Sequence, residues 1–213
     1  MMTTFASRAK KTLIWDLPTR VGHWLLVTCV AGAWLTSESE RLAVLHAAFG
    51  HTIAMVIGFR LIWGFVGTRY ARWQDFFPTT SRVKHYLLSI LRAKPEHHTG
   101  HNPLGAVGIL LMIGLLSTTV LTGVMSQLEV GPHWLSDIHE ASAEGLLVVI
   151  GIHVAGVLVS SILHRENLIK SMMTGTKNEP QSLAIERPYQ WLGYVLVMAA
   201  AGCFVYLLRH PIA

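Results

Sequence analysis

Five stretches of the chain are apolar almost without interruption: about residues 21–36, 45–66, 103–125, 138–163 and 190–208. Each approaches the twenty residues that a helix needs to cross a hydrocarbon layer about 30 Å thick. The first has the shortest fully apolar part and gains length from residues 13–18, which can lie at the interface. Between the second and third stretches, residues 76–91 mix basic and apolar positions (Arg82, Val83, Lys84, Tyr86, Leu87, Ile90, Leu91, Arg92). That pattern predicts an amphipathic helix resting on an anionic inner leaflet. Residues 174–188 are mostly polar and read as a linker. The fourth stretch carries His139 and His153, fourteen residues apart. At about 100° and 1.5 Å per residue, fourteen residues return a helix to nearly the same face roughly 21 Å further along.

Composition agrees with membrane spans. Of 213 residues, 52% are hydrophobic and 14% are charged, with a mean hydropathy of +0.45, whereas soluble domains carry about 25% charged residues. The excess of 17 Lys and Arg over 12 Asp and Glu is explained by position rather than by nucleic-acid binding. Arg8, Lys10, Lys11 and Arg20 precede the first span; Arg69, Arg72, Arg82, Lys84, Arg92 and Lys94 follow the second; Arg165, Lys170, Lys177 and Arg187 follow the fourth. The alternate loops hold Glu38, Glu40, Arg41, Glu129 and Asp137. Positive loops stay cytoplasmic, so the expectation is a multi-pass protein of the bacterial inner membrane with its N-terminus in the cytoplasm and its C-terminus in the periplasm.

The organisation expected is a cytoplasmic or interfacial segment (1–20), a four-helix bundle (21–173) with an amphipathic cytoplasmic segment (70–100), a cytoplasmic linker (174–189), a fifth transmembrane helix (190–208) and a periplasmic tail (209–213). The last helix holds no histidine and no acid, and reads as an addition to the functional core. No cleavable signal pattern opens the chain, because Trp15-Asp16-Leu17-Pro18 breaks it. Cys29 and Cys203 fall inside spans and have no C-x-x-C-H context, so they read as small buried hydrophobes.

Twelve histidines are many for such a chain. Ionisable side chains within spans are costly and face the bundle interior. Sorted by depth, His23 and His153 lie toward the cytoplasm, while His46, His51 and His139 lie toward the outside. Two helices that each offer one imidazole at the same depth can ligate a haem iron, and both levels meet that need with one partner from the fourth span. Each histidine alone could equally be a hydrogen-bonded structural residue. His46 and Arg60, fourteen residues apart, share a face from which His51 is turned by about 140°. If Arg60 meets a haem propionate, His46 is the outer ligand, and Gly50 one turn on lets a macrocycle approach the backbone.

These residues stand in recognisable motifs: Trp15-Asp16-Leu17-Pro18-Thr19-Arg20-Val21-Gly22-His23-Trp24; Leu45-His46 through Gly50; Arg60 through Gly67; Gly100-His101-Asn102-Pro103; Ile138-His139-Glu140; and Ile152-His153 through Gly156. From about Leu13 to Gly175 the chain resembles bacterial cytochrome b561, in the wider group that includes the b-type cytochrome subunits of nickel–iron hydrogenases. The resemblance implies an all-α integral membrane fold, a four-helix bundle binding two b haems, with His23 and His153 on one iron and His46 and His139 on the other. It also implies electron exchange with membrane quinone. The fifth, C-terminal helix departs from the simple four-helix pattern.

An iron with two histidine ligands has no open position, so its task is one-electron transfer, with quinone oxidoreduction as the associated activity. Quinone chemistry needs a group that handles protons, for which Glu140 and Glu144 are candidates, with His98 and His101 as alternatives. Arg20, Arg60, His101 and Asn102 are candidate propionate partners. The expected partners are membrane lipid, quinone, and a c-type cytochrome, dehydrogenase or hydrogenase subunit, with a second copy of the chain also open. Competing readings are a haem-free anchor subunit of a redox complex and a di-metal desaturase or hydroxylase. The latter needs its histidines on one side of the membrane, and here they divide between two.

Overall fold

The computed structural model describes residues 11–92 and 96–211; Arg8, Lys10 and Lys94 lie outside these. The elements run β1 (Lys11–Leu13), α1 (Leu17–Thr36), α2 (Ala43–Val66), α3 (Trp73–Phe76), α4 (Thr80–Leu91), α5 (Pro103–Gln127), α6 (Trp134–Leu163), α7 (Leu168–Thr174), β2 (Thr176–Asn178) and α8 (Gln190–Arg209). Local chemistry marks the starts. The side chains of Asp16 and Asn102 accept from the backbone N–H of Thr19 and Gly105, each at 2.7 Å, with a proline at the first or second helical position. Such caps satisfy N–H groups that a helix start leaves without a partner.

Four helical stretches are long and apolar enough to cross a membrane: Glu40–Val66, Pro103–Gln127, Trp134–Leu163 and Gln190–Arg209. They expose large apolar side chains such as Ile152, Ile162 and Met198, and carry Trp134 and Trp191 near their ends. A water-facing surface rarely shows apolar faces of that extent, and tryptophan is enriched at membrane interfaces. The chain is a multi-pass membrane protein. The helix α1 has twenty residues and is the least apolar of the long helices.

The long helices pack as two units. In one, α1, α2 and α8 touch one another; in the other, α5 lies along α6; the two units meet mainly where α2 faces α5. Cys29, Ile53, Ile57, Leu116 and Leu146 form the buried seam between them. Cys29 is buried and Cys203 half-buried, both as free thiols.

Two features go beyond the sequence pattern. The residues read as a linker contain β2, which pairs antiparallel with β1 (Lys11 opposite Asn178, Leu13 opposite Thr176). The pairing buries Thr12, Ile14 and Trp15, so this segment packs within the protein rather than standing clear of it. The Gly175 carbonyl accepts from Ile14 and Trp15 at 2.8 and 3.0 Å, Leu17 donates to Pro188 at 3.1 Å, and the Tyr70 hydroxyl donates to Leu183 at 2.9 Å. Here the polar alternation of Thr176-Lys177-Asn178 is too short to announce a strand without its partner.

The second feature is α8, which sits closer to the core than an addition would. It lies against both α1 and α2, with Phe204 on Phe49 (ring centroids 4.8 Å) and Tyr189 on Trp63 (5.2 Å). Closest approach comes at Gly193, where a Cβ would stand 2.6 Å from Leu17 Cγ. Replacing Gly193 with Val should therefore cost about 1–3 kcal/mol by overpacking, read as a lower unfolding midpoint of the detergent-solubilised protein. An unchanged midpoint would mean that α8 is only loosely attached.

Candidate functional site

The gap between the two helical units holds the intramembrane histidines at two levels. At one level a cleft of about 960 Å³ opens between α1, α2, α5 and α6, and its walls include His46, Gly50, His51, Gly123, His139, Glu140 and Glu144. That volume lies at the upper end of the range of cofactor sites. His46 and His139 face each other across it, with ring centroids 6.1 Å apart. Two imidazoles on opposite sides of one metal ion, each bonded at about 2 Å, put their ring centres at roughly this separation.

Both rings are held from behind. His46 Nδ1 lies 2.9 Å from the Ala33 carbonyl and His139 Nδ1 lies 2.7 Å from the Thr119 carbonyl. A carbonyl only accepts, so each Nδ1 carries the proton and each Nε2 keeps a free lone pair, the arrangement of a metal-ligating histidine. Gly123 makes the seat for His139, because a Cβ there would stand 2.7 Å from Nδ1. Gly50 has open space beside it, with nothing within 4 Å of a built Cβ. His51 borders the same cleft, but its Nδ1 bonds the Ala47 carbonyl of its own helix at 2.9 Å. Glu140 and Glu144 are exposed along the wall, within the same cleft as the histidine pair.

At the other level, His23 of α1 and His153 of α6 lie within electrostatic reach of each other. His23 packs edge-on against Trp24 at 5.2 Å, and its Nδ1 is buried without a hydrogen-bond partner. Around this pair the structure gathers Arg20, Arg60 and His101. The Arg60 guanidinium lies over Trp73 at 4.5 Å, and His101 lies against Trp15 and Phe76 at 4.7 and 4.8 Å. Arg20 donates to the Met173 carbonyl. Arg20 Nε, Arg60 Nη1, His101 Nδ1 and Trp15 Nε1 are buried with no partner. Unsatisfied buried polar atoms are costly, and the three N–H donors of Arg20, Arg60 and Trp15, with His101 beside them, fit the carboxylates of an anionic group such as a haem. Asn102 has its carbonyl oxygen committed to the α5 cap, which leaves its amide N–H groups for such a contact.

Sequence reasoning missed Trp15 as a donor and the backbone carbonyls of Ala33 and Thr119. The former had a signal, since a tryptophan beside the buried Asp16 must place its N–H somewhere; the latter had none, because every residue has a carbonyl. His98, the other proton candidate, lies 3.8 Å from Glu96 and packs against Tyr86. Among the described residues no group of three or more His, Cys, Asp or Glu gathers in a way that could hold a metal ion.

Residues 14–175 match a family model described as prokaryotic cytochrome b561. Over 137 residues the chain is 25% identical to the probable Ni/Fe-hydrogenase 1 B-type cytochrome subunit of Escherichia coli, covering 52% of this chain and 57% of that relative. It is 22% identical to the probable Ni/Fe-hydrogenase B-type cytochrome subunit of Bradyrhizobium diazoefficiens, covering 77% and 85%. It is 24% identical to the corresponding subunit of Rhizobium leguminosarum bv. viciae, covering 81% and 91%. The chain thus spans a little over half the length of the Escherichia coli relative and most of the rhizobial ones. No solved structure matches.

One consequence of the inner cluster is measurable without any ligand. Burial, followed by the charges of Arg60 and Lys177, pushes His101 down to about 3. An unfolded histidine takes up a proton near pH 6.5, whereas the folded His101 resists until about pH 3. Stability is therefore fully present above pH 6.5 and falls as the pH drops below it, by up to ~1.4 kcal/mol per pH unit from this group. His101→Phe should flatten the loss between pH 6.5 and 5, measured by denaturation midpoints; equal slopes in both proteins would refute the buried neutral imidazole.

Proposed function

The chain belongs to the prokaryotic cytochrome b561 family, and on that premise we propose that it is a transmembrane b-type cytochrome holding two haems, which passes single electrons between membrane quinone and a partner redox protein. The observation that carries the proposal is the pair His46 and His139, 6.1 Å apart, each with Nδ1 tied to a backbone carbonyl. His23 and His153 serve the second iron. The haems supply one-electron transfer when bound.

The protein's own residues do the rest. The carbonyls of Ala33 and Thr119 fix the tautomers and orientations of the outer ligands. Arg20, Arg60, His101, with Asn102 and Trp15, offer N–H groups to the propionates of the inner haem. Gly50 and Gly123 leave room for a macrocycle and for the His139 ring. Glu140 and Glu144, exposed on the wall of the outer cleft, exchange protons with a quinone headgroup there. The helix α1 crosses the membrane as a fifth span, because it runs beside α2 and α8 for twenty residues and places His23 opposite His153. With five spans and the basic loops at the end that carries β1, β2 and α4, the N-terminus lies in the cytoplasm and the C-terminus in the periplasm of a bacterial inner membrane. The amphipathic helix α4 rests on the inner leaflet, with Leu87, Leu88 and Leu91 exposed. The named relatives favour a nickel–iron hydrogenase as redox partner; another dehydrogenase or a periplasmic c-type cytochrome would be served by the same two haems.

The purified protein should show a reduced-minus-oxidised spectrum with a b-type α band and two haems per chain by pyridine haemochrome. A colourless protein would favour a haem-free anchor. His139→Ala and His153→Ala should each remove a different haem, and retention of both haems in either variant would sink the assignment. His51→Ala should keep both; loss of one would move the outer ligand to His51.

A further inference from the structure

Asp16 caps α1, yet it is among the most deeply buried side chains of the protein, 1% exposed. Its carboxylate is fully occupied. One oxygen accepts from the Thr19 N–H at 2.7 Å, and the other from Trp63 Nε1 at 3.3 Å and from the Thr68 hydroxyl. A helix cap alone does not explain such burial, because Asn or Ser caps as well as Asp without bringing in a charge.

The explanation lies in what surrounds it. Asp16 is within electrostatic reach of both Arg20 and Arg60, but neither guanidinium closes an ion pair with it. Arg60 lies over Trp73, and Arg20 bonds the Met173 carbonyl. The carboxylate therefore offsets part of the positive charge without using the arginine N–H groups, and Arg20 Nε and Arg60 Nη1 stay unpartnered. Asp16, Arg20 and Arg60 thus form one charged group, which His101 links to the inner histidines, since it lies within electrostatic reach of Arg60, His23 and His153, in an environment where charges act strongly.

We propose that Asp16 is a positioning residue for the inner haem: it holds Arg20 and Arg60 ready for the propionates through charge rather than contact, and its own fixed negative charge lowers the reduction potential of that haem alone. The proposal rests on the dihaem reading above. The outer pair, His46 and His139, is lined by no arginine or lysine and lies at the other depth.

The test is a redox titration of the haem-loaded protein carrying Asp16→Asn, which keeps a cap acceptor and removes the charge. Two haems per chain are expected, with the inner midpoint shifted to more positive potential and the outer one unchanged. Arg60→Gln should shift the inner midpoint the other way, and the effect of Asp16→Asn should shrink in the Arg60→Gln background, as coupled neighbours do. Unchanged midpoints in Asp16→Asn at full haem content would overturn the proposal and leave a plain helix cap. A shift in both haems would overturn it too. Should Asp16→Asn lose the fold, Asp16→Ser and then Arg60→Gln carry the test, an unmoved inner midpoint again overturning it. Failure of the dihaem reading looks different: the unmodified protein would bind fewer than two haems per chain.

Discussion

Polar groups among apolar helices have no water to turn to, and this constraint orders the whole molecule. Each imidazole, guanidinium and carboxylate inside the bundle must find a partner or leave a donor waiting for one. At the outer level the partners are backbone carbonyls, Ala33 for His46 and Thr119 for His139. At the inner level Asp16 is satisfied three times over, while the arginines, Trp15 and His101 keep buried N–H groups without partners. The polar side chains of the bundle thus gather at two levels, one satisfied by backbone carbonyls and one built around the buried Asp16.

The helix α6 joins the two levels. It lies along α5 over its length and presents His139 and His153 toward helices of the other unit. The helix α8 packs against both α1 and α2 and reaches the cleft of His46 and His139 through Leu207.

Much of this was legible in the sequence because it depends on helical period. Four of the apolar spans and the fourteen-residue spacing of His139 and His153 follow from about 100° per residue and from length, and the rings of His46 and His139 face each other. Spacing alone does not choose between His46 and His51, which needs the further premise that Arg60 meets a propionate. What escaped depends on contacts between distant residues. Nothing in Thr176-Lys177-Asn178 names Lys11-Thr12-Leu13 as its partner, and nothing in the apolar face of α8 says that Gly193 meets Leu17. Asp16 reads locally as a break in a leader-like segment; only the approach of Trp63, Thr68 and Arg60 from α2 and the turn after it makes it a buried centre.

The pairing of β1 with β2 has a consequence for how the protein is made. Lys11 is synthesised 167 positions before its partner Asn178. Until then Trp15 and Ile14 have no Gly175 carbonyl to bond, and the inner end of the bundle lacks its cover. During biogenesis the four helices that carry or flank the histidines can therefore be in place while the end that β1 and β2 cover is still open. The strand pair then acts as a latch on the helices already made, with only α8 still to follow, and what must enter from that end has its opportunity before the latch closes.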